Sequence, residues 1–340
     1  MLNHYRKSMN SNLYKNNMDI CYKLDIICMV CAYLFLFTVV NLQKGGLVLI
    51  IALLIIIPLC ILYFFAISPA IFSSWNKERL RSVIFAHRGL YNNYCKVPEN
   101  SMNAFVNAVN NGYGIELDIH LTRDKKVVVF HDENIERMAG RNLDISKIDY
   151  EELRIEKLLN TNEPIPLLQD VLNMVSGRVP IMIEFKDIVN YKDLCEKAFI
   201  ILDVYSGSYF VESFDPLILR WIKLNRRSVI RGQLSGLATK YNNNIRNPFL
   251  RFALSNLLFN FLSRPHFIAY ELEQCNRFTI HIERALGAAI VAFTVKGLEL
   301  AKKYTKDFDT VIFEEDNLPK RDNRFYLTPH TGNKKPLFWV

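Results

Sequence analysis

The chain has few of the residues that would commit it to several familiar chemistries. It holds 7 cysteines in 340 residues. Cys21, Cys28, Cys31 and Cys60 lie in or beside long apolar runs, while Cys95, Cys195 and Cys275 are scattered without paired spacing. That speaks against a disulfide framework and suits a reducing compartment. Cys28-Met29-Val30-Cys31 has C-x-x-C spacing, but its apolar setting argues against a redox or zinc role. Glycines number 13, and none belongs to a phosphate-cradling loop or a dinucleotide fingerprint, which excludes the nucleotide folds built on one. There is no internal repeat. The excess of positive charge is modest, with 42 Lys and Arg against 34 Asp and Glu. Of the net +8, residues 1–72 hold +3 (Arg6, Lys7, Lys15, Lys23 and Lys44 against Asp19 and Asp25), leaving +5 for the remainder. Neither part resembles a nucleic-acid surface.

What is present centres on Ile115-Glu116-Leu117-Asp118-Ile119-His120. It alternates with the period of a β-strand, so Ile115, Leu117 and Ile119 face one way and Glu116, Asp118 and His120 the other. Two carboxylates on one face of a buried strand repel each other unless a cation lies between them, and hard oxygen ligands point to a divalent metal. Other apolar runs also lead into polar groups: Ser82–Ala86 into His87-Arg88-Gly89, Lys126–Phe130 into His131-Asp132, and Ile181–Ile183 into Glu184-Phe185-Lys186. Carboxylates, histidines and an arginine converging at strand ends suit metal-assisted hydrolysis of a phosphate ester.

Strands are expected at 82–87, 114–120, 180–186, 208–214, 228–233, 266–271, 289–295 and 308–314, with a further short one at 126–131. Helices are expected at 101–111, 191–204, 215–225, 277–286 and 297–306. This alternation predicts a parallel sheet. Asn100 or Ser101 is placed to cap the first of these helices, and Asp215-Pro216 opens another with proline in its first turn.

Phe85-Ala86-His87-Arg88-Gly89, Pro98-Glu99-Asn100-Ser101, Glu116-Leu117-Asp118 and Val129-Phe130-His131-Asp132 stand in one order with Glu163-Pro164-Ile165-Pro166-Leu167-Leu168 and Ile183-Glu184-Phe185-Lys186. Together they resemble the glycerophosphodiester phosphodiesterase family, in a membrane-anchored bacterial form. The resemblance spans residues 82–320 and is densest up to Lys186. It implies a (β/α)8 TIM barrel with its site at the C-terminal strand ends. It also implies hydrolysis of glycerophosphodiesters to glycerol phosphate and an alcohol. In that reading His87 and His131 are the general acid–base pair. Glu116, Asp118 and Glu184 hold one divalent cation, Mg2+ or Ca2+, and Arg88 and Lys186 bind the substrate phosphate. Glu99 supports Arg88, and Phe293 forms an aromatic wall. Two neighbouring activities on this scaffold are those of a lysophospholipase D and of a cyclising phospholipase acting on membrane lysolipids. A non-catalytic barrel is a third reading, which the complete polar set disfavours. Two segments depart from the family pattern: Trp-Thr-Val-Asn is replaced by Phe293-Thr294-Val295-Lys296, and the usual Thr-Asp ending the last strand by Phe313-Glu314. They bear on headgroup specificity.

Ahead of the barrel, Leu24–Leu42 carries only Asp25, and residues 46–72 carry no charge. About 20 apolar residues cross a bilayer, so these runs predict a transmembrane hairpin joined at Gln43-Lys44-Gly45-Gly46. Basic residues flank the pair on both sides (Arg6, Lys7, Lys15 and Lys23 before; Lys77, Arg79 and Arg81 after), with Lys44 alone between. That places both flanks in the cytoplasm. The expected domains are a polar segment 1–23, spans within 24–72, a linker 73–81, the barrel 82–320 and a tail 321–340. The expected location is the cell membrane, with the barrel cytoplasmic and close to membrane lipid. The alternative is a single span with the barrel outside. Finally, Tyr241–Asn244 is read as loop. Asn247-Pro248 opens a stretch to Leu262 that reads as one helix, apolar nearly all round: either a buried barrel helix or a lip touching the bilayer.

Overall fold

The structure is a computed structural model whose described residues are Gly46, 50–70, 75–186, 190–236, Ile245 and 247–315. The polar segment 1–23, the first expected span, Cys28–Cys31, the loop 241–244 and the tail 321–340 lie outside them. The chain divides into two compact units, one ending at Phe65 and the other beginning at Ala66.

Among the described residues of the second unit, nine strands form: β1 (Phe85–Ala86), β2 (Gly114–Leu121), β3 (Val127–Val129), β4 (Ile181–Phe185), β5 (Tyr209–Ser213), β6 (Arg231–Ser235), β7 (Phe267–Glu271), β8 (Ala289–Lys296) and β9 (Thr310–Glu314). They bond in the order β1-β9-β8-β7-β6-β5-β4-β2, and β1 returns to β2, closing a barrel of eight parallel strands. β3 stands outside it, antiparallel to the upper part of β2 with Ile119 opposite Val129. β3 is the further short strand expected at 126–131, and it leads into His131 from outside the ring of barrel strands. The cause lies in β1, which stops after two residues because the chain turns at Arg88 (φ 55°) and Gly89 (φ 81°). The edge of β2 beyond Ile115 is then open to β3.

Alternation along the strands sorts the interior from the shell. Ile115, Leu117 and Ile119 pack outward with Phe105, Leu172 and Leu194 from the helices. Inside, Phe85, Met182, Phe210, Phe267, Ala289 and Ile312 plug the N-terminal part of the barrel. The rings of Phe85 and Phe267 each meet Phe210 edge-on, at 6.1 and 6.4 Å. Gly232 leaves room for this plug, since a Cβ there would lie 2.0 Å from the Phe267 ring. With the lower barrel filled by hydrocarbon, the polar inward positions collect at the C-terminal mouth.

The helix Met102–Asn110 is capped by Ser101, whose Oγ accepts from Ala104 N at 3.2 Å. Asp215 caps Pro216–Asn225 by accepting from Leu217 N at 2.8 Å. The stretch after residue 247 is not a single buried helix. It is two, Pro248–Ser255 and Asn260–Ser263, broken near Leu257 (φ 60°). Their polar residues Ser255, Asn260 and Ser263 are buried, whereas Phe249 and Phe252 are 83% and 63% exposed.

Among the described residues one helix, Ile50–Ile67, is long and apolar enough to cross a membrane, and almost none of it is buried. Within the second unit, the segment leaving it is fixed to the barrel. Asn260 Nδ2 donates to Ile67 O at 3.1 Å, Arg264 Nη1 to Ser68 O at 2.9 Å, and Ala70 N to Pro265 O at 2.8 Å.

Candidate active site

The turn after β1 is tied to β2 by hydrogen bonds. Arg88 N donates to Glu116 Oε2 at 2.9 Å. Its guanidinium Nη1 donates to Glu99 Oε1 at 2.7 Å, and Nε lies 3.6 Å from Asp118 Oδ2. Asn100, also at positive φ (53°), donates N–H to Arg88 O at 2.9 Å and Nδ2 to Asp118 Oδ2 at 2.8 Å. Two residues in the strained left-handed region are thus each held by a bond to the site's carboxylates, which is where such strain is usually found.

Glu116, Asp118 and Glu184 are buried, and each offers an oxygen within 4.8 Å of the others. Lys186 Nζ lies 3.1 Å from Asp118 Oδ1 and 3.0 Å from Glu184 Oε2. Burial pushes the Glu116 carboxyl well above the ordinary range, and the charges of Asp118 and Glu184 push the same way. Glu184 is pushed up to about 7 by burial and by Asp118, against the pull of Lys186. Burial acts on Asp118 too, but Lys186, His131, Arg88 and the Asn100 amide overcome it and hold Asp118 well below the usual range. Asp118 Oδ1 is buried and accepts no hydrogen bond, its contact with Lys186 being an ion pair without the alignment of one. Three crowded hard-oxygen donors with an unsatisfied atom among them fit one divalent cation.

The His87 ring is mostly buried, with Nδ1 3.5 Å from Glu314 Oε2. Burial lowers its pKa, outweighing the opposing effect of Glu314. Glu314 also receives Lys296 Nζ at 2.6 Å. The two departures from the family pattern are therefore partners of each other, and one of them faces His87. His131 Nδ1 lies 2.6 Å from Asp132 Oδ1. Asp132 Oδ2 accepts from Arg137 Nε at 2.6 Å, and Arg137 Nη2 donates to Glu99 Oε1 at 2.6 Å. A chain of polar contacts, His131–Asp132–Arg137–Glu99–Arg88, links the two halves of the mouth. His120, the third inward residue of β2, sits with Nε2 3.1 Å from His131 O and steadies that backbone. Phe293 is buried on the barrel wall at β8, edge-on to Phe214 at 6.2 Å.

Sequence reading placed these groups but missed several that hold them. Asn100 was weighed only as a cap. Arg137 lies on a short helix after β3 and shows no period pointing to the site. Glu212 shares the inward parity of Phe210 on β5, a signal that was available in Tyr209–Ser213.

The region 87–259 matches the model of the Glycerophosphoryl diester phosphodiesterase family. The chain belongs to that family. It is 38% identical over 124 residues to a glycerophosphodiester phosphodiesterase of Bacillus altitudinis, an alignment covering 34% of this chain and 49% of that protein. It is 36% identical over 142 residues to lysophospholipase D GDPD1 of Rattus norvegicus, covering 38% and 43%. The chain spans about half, or less, of the length of these curated relatives. Among solved structures, the glycerophosphodiester phosphodiesterase of Thermotoga maritima matches with TM-score 0.52 at 24% identity, covering 68% of this chain and 94% of that one. An Oleispira antarctica phosphodiesterase in complex with the product sn-glycerol-3-phosphate matches with TM-score 0.55 at 20% identity, covering 68% and 92%. These likenesses show that the family member has the same fold as both.

Proposed function

We propose that this family member is a metal-dependent phosphodiesterase that hydrolyses glycerophosphodiesters to glycerol phosphate and an alcohol. The observation that carries the reading is one mouth of the barrel holding Glu116, Asp118 and Glu184 together with Arg88 and Lys186, in a mouth that His87 and His131 also line. The activity in the name of the Bacillus altitudinis relative agrees with it.

Glu116, Asp118 and Glu184 would hold one divalent cation, Mg2+ or Ca2+, and when bound it supplies charge neutralisation at a phosphate oxygen. Arg88 and Lys186 bind the negative charge that grows on the phosphoryl group. Arg88 is already braced by Glu99, so little reorganisation is needed. His87 starts neutral, because burial lowers its pKa, and takes the proton of the attacking oxygen. His131, its ring fixed by Asp132, delivers a proton to the leaving alcohol. Phe293 walls the substrate's headgroup side.

A second reading, lysophospholipase D action on membrane lysolipids, draws on Phe249 and Phe252. These exposed rings precede Asn260 and Arg264, which grip the segment leaving the apolar helix. The relative named lysophospholipase D agrees with this reading. In both readings residues 24–42 and 46–72 anchor the barrel to the cytoplasmic face of the membrane.

The test is incubation of the purified protein with a panel of glycerophosphodiesters and lysophospholipids, with and without chelator, and identification of the products. Glycerol phosphate formed only from the soluble diesters supports the first reading. Preferential release of lysophosphatidic acid supports the second, a cyclic phosphate identifies attack by a substrate hydroxyl, and no turnover of any substrate refutes both.

A further inference from the structure

Glu212 takes no part in the chemistry above, yet it points into the same cluster. It is 1% exposed, and its Oε2 is buried with no hydrogen-bond partner. A carboxylate so placed is costly unless a cation or donor satisfies it. The sheet register explains its position. Glu184 pairs with Asp118 on one side and with Glu212 on the other. Three neighbouring parallel strands, spaced about 4.8 Å apart, therefore carry an inward carboxylate at one level, with Glu116 one inward step below Asp118. Lys186 engages Asp118 and Glu184, and the negative neighbours of Glu212 are Glu116, Glu184 and Asp118. When ionised, these four carboxylates face two cations, Arg88 and Lys186, and the excess of two negative charges equals the charge of one divalent cation.

We propose that Glu212 is a fourth carboxylate of the cation site, turning its free oxygen toward the ion held by Glu116, Asp118 and Glu184, directly or through an ion-bound water. The inference rests on the metal-dependent reading above. A four-carboxylate site is rich in oxygen donors and suits Ca2+, which takes about 6–8 of them.

The experiment is calorimetric titration of the chelator-treated, purified full chain with CaCl2, using the parent protein and the variants Glu212→Gln, Glu212→Asp and Glu116→Gln. Glu212→Gln is expected to weaken Ca2+ binding by about tenfold or more, and Glu212→Asp to recover part of the loss. The melting temperature of metal-free Glu212→Gln should equal or exceed that of the parent, because burial and the neighbouring carboxylates already push the metal-free Glu212 carboxyl toward its neutral form, which glutamine matches in size and charge. Unchanged Ca2+ affinity in Glu212→Gln, with affinity lost in Glu116→Gln, would overturn the role of Glu212 and leave the three-carboxylate site standing. A lower melting temperature of metal-free Glu212→Gln, without recovery in Glu212→Asp, would make Glu212 structural and overturn the proposal. A parent protein that binds neither Ca2+ nor, in a parallel titration with MgCl2, Mg2+ would overturn both.

Discussion

His87 and His131 arrive by different routes, one from a barrel strand and the other from a strand laid against the barrel, and each has its own carboxylate partner. His87→Ala and His131→Ala should each lower turnover by about 10²–10⁴-fold while leaving metal affinity largely intact. The double variant should be far less impaired than the product of the single effects, because both groups serve one step. Near-normal turnover in either single variant would reassign that histidine to a structural role. A third histidine gives a pH prediction. His266 is buried, its Nδ1 accepts from Arg231 N at 3.3 Å, and burial with the Arg231 charge pushes its pKa down to about 4. The unfolded chain, with a His pKa of about 6.5, takes up a proton that the folded protein refuses. The contribution of His266 to stability should therefore rise with pH between about 4 and 6.5 and be lost as pH falls through that window. His87, also lowered by burial, acts in the same direction, and the raised carboxyls of Glu116 and Glu184 act in the opposite one. His266→Gln should make the slope of melting temperature against pH less positive between about 4 and 6.5 than in the parent, and an unchanged slope would contradict this account. At this scale the inward parity of Glu116, Asp118 and Glu184 was legible, because it follows from a period of two. The roles of Asn100 and Arg137 were not, because contacts made by turns and short helices across the barrel mouth leave no periodic trace.

At the scale of elements, the barrel depends on large and small residues facing each other across its interior. Gly232→Ala should destabilise the fold by roughly 1–3 kcal/mol through overpacking against Phe267, measured by denaturant unfolding. Unchanged stability would mean the Phe267 ring has room to move. All the expected strands are present, since each is a short apolar run bounded by polar groups. The direction of β3 was not legible, because it depends on how early β1 stops. The helices after residue 247 were misread for a related reason. Composition showed an apolar stretch, but the break at Leu257 and the inward turn of Ser255, Asn260 and Ser263 are set by tertiary contacts such as Asn260 with Glu283 at 2.8 Å. The exposed Phe252 gives a direct probe of the bilayer-contact reading. With Phe252→Trp in the protein reconstituted into liposomes, the added emission relative to the parent should be quenched by brominated acyl chains. Emission indifferent to brominated lipid would place the helix Pro248–Ser255 in water.

For the whole molecule, alternating strands and helices together with the family motifs made the closed barrel legible. Membrane topology rests on charge and hydropathy alone, with Ile50–Ile67 as the one apolar helix of sufficient length among the described residues. A reporter fused after Val340 should behave as cytoplasmic, and one near Lys44 as external. Labelling of barrel cysteines by an impermeant thiol reagent in intact cells would favour a single span with the barrel outside. The central claim is that this barrel is a phosphodiesterase working through a cation held by buried carboxylates. Its most direct test is glycerol phosphate release from a glycerophosphodiester by the purified parent protein and Glu116→Gln, in chelator and after restoring Ca2+ or Mg2+. The account predicts release by the parent that stops in chelator, returns with the ion, and is absent from Glu116→Gln under all conditions. Full activity of Glu116→Gln in excess chelator would contradict it.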